Sequence, residues 1–163
     1  MNWRKKMFLL VIVISLIVIT TGCGTEAFST NQINPIEKEK ISVVIINKGS
    51  SQQEKFTDKV FISEIIDNLN NVKVKKSSQA EDKKILDSGN ELKKNSTITI
   101  YLLTDNESNA KSMAILLSEK ELYFPDVKSM QGSTYTASYM NDSDETTLKS
   151  IKAIYSLAEK NTK

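Results

Sequence analysis

Three short stretches hold the residues whose types and spacing could carry chemistry. Cys23 is the one cysteine in the chain, and it closes the small-residue run Thr20-Thr21-Gly22. Ser108-Asn109-Ala110-Lys111 has the Ser-x-x-Lys spacing in which a lysine can activate a serine nucleophile. The Ser-Asp-Asn and Lys-Thr-Gly motifs that accompany it in such enzymes are missing. Ser108 also falls in a predicted hairpin turn, with Lys111 opening the next strand. Asn141-Asp142-Ser143-Asp144-Glu145 gathers three carboxylates, so Asp142, Asp144 and Glu145 are weak candidates for holding a hard cation through oxygen. The segment lacks the glycine and distal glutamate of an EF-hand loop. The plainer reading is that Asp142 or Ser143 caps a helix whose positive end Asp144 and Glu145 favour.

Residue usage removes more chemistry than these stretches add. The chain has no histidine, and its single cysteine cannot form an internal disulfide. Ser-His-Asp triads, Cys-His nucleophiles and the usual His/Cys zinc sites are therefore excluded from this chain. An enzyme would have to work with paired carboxylates, a Ser-Lys arrangement or an oxygen-ligated cation. No catalytic residue, metal or cofactor is assigned, and a non-catalytic binding or interaction module is preferred. The alternative is a carboxylate-dependent envelope hydrolase, which needs two acids about 5 to 9.5 Å apart in a cleft.

Lys73, Lys75, Lys76, Lys83, Lys84, Lys93 and Lys94 load the middle of the chain with positive charge against Glu81, Asp82, Asp87 and Glu91. Lys73, Lys75, Lys76, Lys83 and Lys84 are weak candidates for contact with a membrane surface or an anionic wall polymer, each contributing about 1 kcal/mol near anionic headgroups. A solvated loop is the plainer account. Tyr101, Tyr123, Tyr135 and Tyr139 fall on predicted strands and could line a cleft, although such rings usually belong to the core.

The N-terminus reads as an export signal: Arg4, Lys5 and Lys6, then the apolar run Met7 to Ile19 interrupted by Ser15, then Thr20 to Cys23. As a helix the apolar run would reach about 20 Å, short of the roughly 30 Å hydrocarbon core. The Gly22-Cys23 ending resembles the lipobox of bacterial lipoproteins, with Thr20 where an aliphatic residue is usual. That resemblance implies diacylglyceryl attachment at Cys23, cleavage just before it, and retention on the outer face of the cell membrane.

Residues 1–22 are accordingly expected to be the signal, 23–40 a lipidated cysteine and flexible tether, and 41–163 one extracytoplasmic domain. The whole chain carries 22 basic and 20 acidic side chains. Without Arg4, Lys5 and Lys6 the balance becomes 19 against 20, about −1, and the chain's one arginine is gone. Nucleic acid is therefore not an expected partner, since arginine is the residue favoured for phosphate and base-edge contacts. The expected partners are the membrane, through the lipid, and an envelope protein or anionic polymer.

The elements that must position these residues follow from periodicity. Ile41 to Ile46 is a β-branched run stopped by Asn47-Lys48-Gly49, which predicts a strand buried on both faces. Thr57 as N-cap, with Phe56 and Phe61 as a hydrophobic staple, predicts a helix from about Asp58 to Asn70 with Phe61, Ile62, Ile65, Ile66 and Leu69 inward. Val72 to Lys76 reads as a short strand. Ser77 to Asn95 reads as a polar loop with a helical turn around Asp82 to Leu86. Ile98, Ile100 and Leu102, then Met113, Ile115 and Leu117, predict a hairpin. Glu121 to Phe124 and Thr134 to Met140 predict further strands. A closing helix carries Leu148, Ile151, Ile154, Tyr155 and Ala158 on one stripe. The fold class is α+β: a mainly antiparallel sheet with one helix after the first strand and one at the C-terminus.

From Ile41 to Lys160 the chain resembles the C-terminal domain named for the YhfM lipoproteins of Gram-positive bacilli. The resemblance lies in the strand at Ile41, the Phe56-Thr57-Asp58-Lys59 helix entry, the Ile98 to Leu102 strand, the Thr134-Tyr135 to Tyr139 strand and the closing helix. It implies a small membrane-anchored protein of undefined biochemical role and transfers no site residues.

Overall fold

The computed structural model describes residues 35–50, 52–86, 89–104, 110–127 and 137–162. Cys23, Ser108, Asp87 and Tyr135 lie outside the described residues, as do the signal and most of the tether. The fold is α+β, built on a seven-stranded antiparallel sheet in the order β2-β1-β4-β5-β6-β7-β3. The strands are β1 (Val43–Lys48), β2 (Gln52–Phe56), β3 (Val74–Lys76), β4 (Ile98–Leu103), β5 (Ala110–Ser118), β6 (Glu121–Phe124) and β7 (Tyr139–Asn141). Among the described residues four α-helices accompany them: α1 (Lys59–Asn70), α2 (Gln79–Leu86), α3 (Asn90–Lys93) and α4 (Glu145–Asn161).

One face of the sheet carries the main core. Ile62, Ile65, Ile66 and Leu69 of α1 and Ile151, Ile154 and Ala158 of α4 close over Val44, Ile46, Ile98, Ile100, Leu102 and Leu116. These are the helical stripes that the sequence spacing specifies, with Lys149, Lys152 and Glu159 exposed on the far side of α4. Both helices start on an aspartate. Asp58 accepts from the Phe61 amide at 2.8 Å and Asp144 from the Thr147 amide at 3.2 Å. The expected caps, Thr57 in one case and Asp142 or Ser143 in the other, are thus one or two residues early. A carboxylate three residues before an otherwise unsatisfied amide satisfies it and also favours the positive helix end. The Phe56–Phe61 contact holds, with ring centroids 4.4 Å apart.

The opposite face of the sheet is covered as well. Its cluster comprises Met113, Ile115, Tyr123 and Ile85 of α2, joined by half-buried Tyr101 and Met140. The hairpin register explains this. Ile98 lies opposite Leu116 and Ile100 opposite Ala114, so Met113 and Ile115 point away from the Ile98-Ile100-Leu102 face rather than continuing it. Directly opposed residues in an antiparallel pair share a face, which places the two apolar rows of the hairpin on different sides.

Four regions differ from expectation. β2 is a polar strand that forms a hairpin with β1, closed by the pair Lys48 and Gln52. Gly49 makes the turn at φ +57, and its amide donates to the Thr97 carbonyl at 2.9 Å. The expected loop from Ser77 to Asn95 contains α2 and α3. The last residues of the expected tether are folded: Lys38–Lys40 form one 3₁₀ turn, and half-buried Ile36 packs against the main core. Tyr139 begins β7, while Ala137 and Ser138 precede it outside any strand.

Candidate functional site

A concavity arises where two strands part company. β2 pairs with β1 as far as Phe56 opposite Val44, and the chain then turns at Thr57-Asp58 into α1. Val43 retains its β4 partner, Leu103, but has no β2 residue beside it. The strand line of β2 is therefore empty next to the start of β1. A groove of about 520 Å³ sits there, between the 3₁₀ turn with Ile41-Ser42 on one side and the first two turns of α1 on the other.

Ile41 and Ile62 line the groove with apolar surface, Ser42, Thr57 and Ser63 bring hydroxyls, and Lys38, Glu39 and Lys59 bring charge. Lys38 bridges the two walls: its ammonium pairs with Asp67 and donates to Ser63 Oγ at 3.3 Å. Ser42 Oγ is buried with no hydrogen-bond partner among the described residues, one of two such atoms with Asn47 Oδ1. An unsatisfied buried hydroxyl is costly, and Ser42 Oγ is enclosed by protein rather than open to the groove. The groove was not legible in the sequence. It depends on where β2 stops, and β2 is too polar to announce itself by apolar alternation.

The residues singled out from the sequence are dispersed. Asp144 is committed to its helix: Thr147 gives it an amide and, at 2.7 Å, a hydroxyl. The Thr147 hydroxyl, more than any other neighbour, holds the Asp144 carboxyl below the usual carboxylate range. Asp142 accepts instead from the Ser143 amide at 2.7 Å, and Glu145 lies exposed in the first turn of α4. Among the described residues, no three His, Cys, Asp or Glu side chains come together in a group that could hold a metal ion.

The lysines are likewise spread among acids. Lys73 lies 3.8 Å from Asp144. Glu81 is held below the carboxylate range by hydrogen bonds from Ser78 and, to a lesser degree, by the charge of Lys75. Glu91 is lowered by its bond with Lys94, at 2.7 Å, with Lys84 adding a smaller effect. Lys76, Lys83 and Lys93 are exposed. These side chains do not make a surface of one sign. Among the described residues the tyrosines line no common cleft: Tyr123 is fully buried and Tyr101 belongs to the same cluster, whereas Tyr139 packs against the main core on the other face.

No protein-family model, curated protein or solved structure matches the chain. No helix among the described residues is long and apolar enough to cross a membrane.

Proposed function

We propose that this chain is a lipoprotein held on the outer face of a bacterial cell membrane through Cys23, with a YhfM-like domain that binds an envelope component non-catalytically. The order of cationic, apolar and small residues ahead of Gly22-Cys23 supports the anchor. Binding is carried by the groove beside the start of β1, where Thr57, Lys59 and Ser63 stand around an apolar floor next to an open strand line. A polar chain segment lying in that line would find hydroxyls from Thr57 and Ser63 and a cation at Lys59.

The hydrolase alternative needs two carboxylates facing one substrate bond. The lining of the groove contributes one, Glu39. The interleaving of Lys75, Lys84 and Lys94 with Glu81 and Glu91 favours the groove over the lysine-rich segment as the main contact surface. A photo-cross-linking residue placed at position 59 in the groove wall, and separately at 152 on the outer side of α4, tests the reading in intact cells. A discrete envelope adduct from position 59 and none from 152 is expected. Equal labelling from both positions, or none from either, would contradict a binding groove.

A further inference from the structure

The polar side chains that line the groove are differently engaged. Lys38 and Ser63 are spent on holding its walls together. The Lys38 ammonium pairs with Asp67 and donates to Ser63 Oγ at 3.3 Å, and the Ser63 hydroxyl donates in turn to Asp67 at 3.4 Å. Ser42 Oγ is enclosed by protein. Glu39, Thr57 and Lys59 have no side-chain hydrogen bond or ion pair among the described residues. Asp58, the carboxylate next to Lys59 in the chain, is turned to the Phe61 amide at 2.8 Å. A free anion in the 3₁₀ turn thus stands across the groove from a free cation in the first turn of α1.

The main chain beside these groups sets the shape of what can lie there. β2 stops opposite Val44, so Ile41, Ser42 and Val43 have no β2 residue next to them. Ile41 is already extended, at φ −105 and ψ 120. Three residues of extended chain cover about 10 Å at roughly 3.3 Å each, which fits one short peptide laid in the line that β2 vacates. Strand addition of this kind takes affinity from the main chain and specificity from the side chains around it. Ile41 and Ile62 form an apolar floor for a central side chain, and the volume of about 520 Å³ lies within the roughly 300 to 1,000 Å³ of small-ligand sites.

Taking the groove as the binding site, we propose that its occupant is a short zwitterionic peptide, extended beside Ile41 to Val43, with a free amino group on Glu39 and a free carboxylate on Lys59. Thr57 adds a hydroxyl on the α1 side. Charge complementarity selects this class. A purely anionic polymer would meet Glu39 with like charge, and an uncharged glycan would use neither charged wall.

Binding of the tripeptide Ala-Val-Ala to the full chain in detergent tests this by calorimetry, with the peptide uncapped, N-acetylated and C-amidated. The uncapped peptide should bind, and each capped form should bind about threefold more weakly, the effect of losing one solvent-exposed charge pair. In Lys59→Gln the amidated and uncapped peptides should bind alike, and in Glu39→Gln the acetylated and uncapped peptides should do so. Both residues are exposed, so neither change disturbs the core. Lys152→Gln, on the outer side of α4, should behave as the native chain. Equal affinities for all three peptides, variants that weaken all three alike, or no binding of the uncapped peptide would overturn the proposal. If the position-59 adduct still forms in cells while no peptide binds, the groove stands as a site and the peptide is removed as its occupant. Loss of both would remove the groove itself.

Discussion

The side-chain amide of Asn70 closes both main-chain hydrogen bonds of Ile36. The Ile36 amide donates to Asn70 Oδ1 at 2.8 Å, and Asn70 Nδ2 donates to the Ile36 carbonyl at 3.0 Å. This pair, with Lys38 on Asp67, straps the chain antiparallel along α1 from its C-terminal end toward its start. Cys23 and the first strapped residue are thus separated by only 12 intervening residues, Gly24 to Pro35. The strap also builds one wall of the groove, so the path into the domain and the candidate site share Lys38 and Glu39.

Asn70→Ala should loosen that strap without touching the core. The expected cost is about 1 kcal/mol, since both bonds are exposed to solvent. Exchange at the Lys40 and Ile41 amides, which close the 3₁₀ turn on Glu37 and Lys38, should accelerate. Unchanged exchange there would mean that the strap is held by Lys38 and Ile36 packing alone.

The helix phases give a sharper contrast. Ile65 and Ile154 are fully buried, and truncating either to Ala should cost about 2 to 5 kcal/mol through lost contacts and a residual cavity. Lys152, exposed on α4, should tolerate Ala within about 0.5 kcal/mol. Urea midpoints measured side by side decide it, and similar small shifts for all three would show the packing to be wrong.

Those phases were legible because each long helix carries an apolar stripe, and β1 was legible as a β-branched run. What the sequence concealed has specific causes. Gln52-Gln53-Glu54-Lys55-Phe56 forms a strand because β1 offers it a ladder, and an edge strand with both faces open needs few apolar residues. The Ser78-Gln79-Ala80-Glu81 capping box is a readable helix start, but the short, polar helix behind it has too little periodicity to stand out. The two-faced burial of the β4–β5 hairpin follows from register, which alternation along either strand alone does not define. Nor does any motif mark the groove, which is a product of strand ends.

Acid stability should depend on Asp144. Its folded-state carboxyl lies below the ordinary value, chiefly because the Thr147 hydroxyl donates to the charged form. On acidification the unfolded chain therefore takes up this proton first. The contribution is complete above roughly pH 5 and is lost as pH falls through the lowered folded value. Asp144→Asn retains a capping oxygen but cannot titrate. The variant should be less stable at neutral pH, with a gap from the native chain that narrows toward about pH 2. Parallel stability curves across that range would contradict the assignment.

Chelation should leave the fold alone. Asp142 and Asp144 accept from different donors and Glu145 lies exposed, so the Tm should be the same with and without EDTA. A fall of several degrees would instead indicate a cation bound by oxygen ligands, for which those three residues are the first to test.

The central claim, attachment through Cys23, is tested most directly by metabolic labelling of expressing cells with a palmitate analogue, comparing the native chain with Cys23→Ala. Two acyl chains at about 0.8 kcal/mol per buried CH₂ make a stable anchor, whereas one chain binds marginally. The native chain should carry label and sediment with membranes, and Cys23→Ala should lose the label and accumulate as precursor or shed protein. A variant labelled and retained like the native chain would contradict lipid attachment at Cys23.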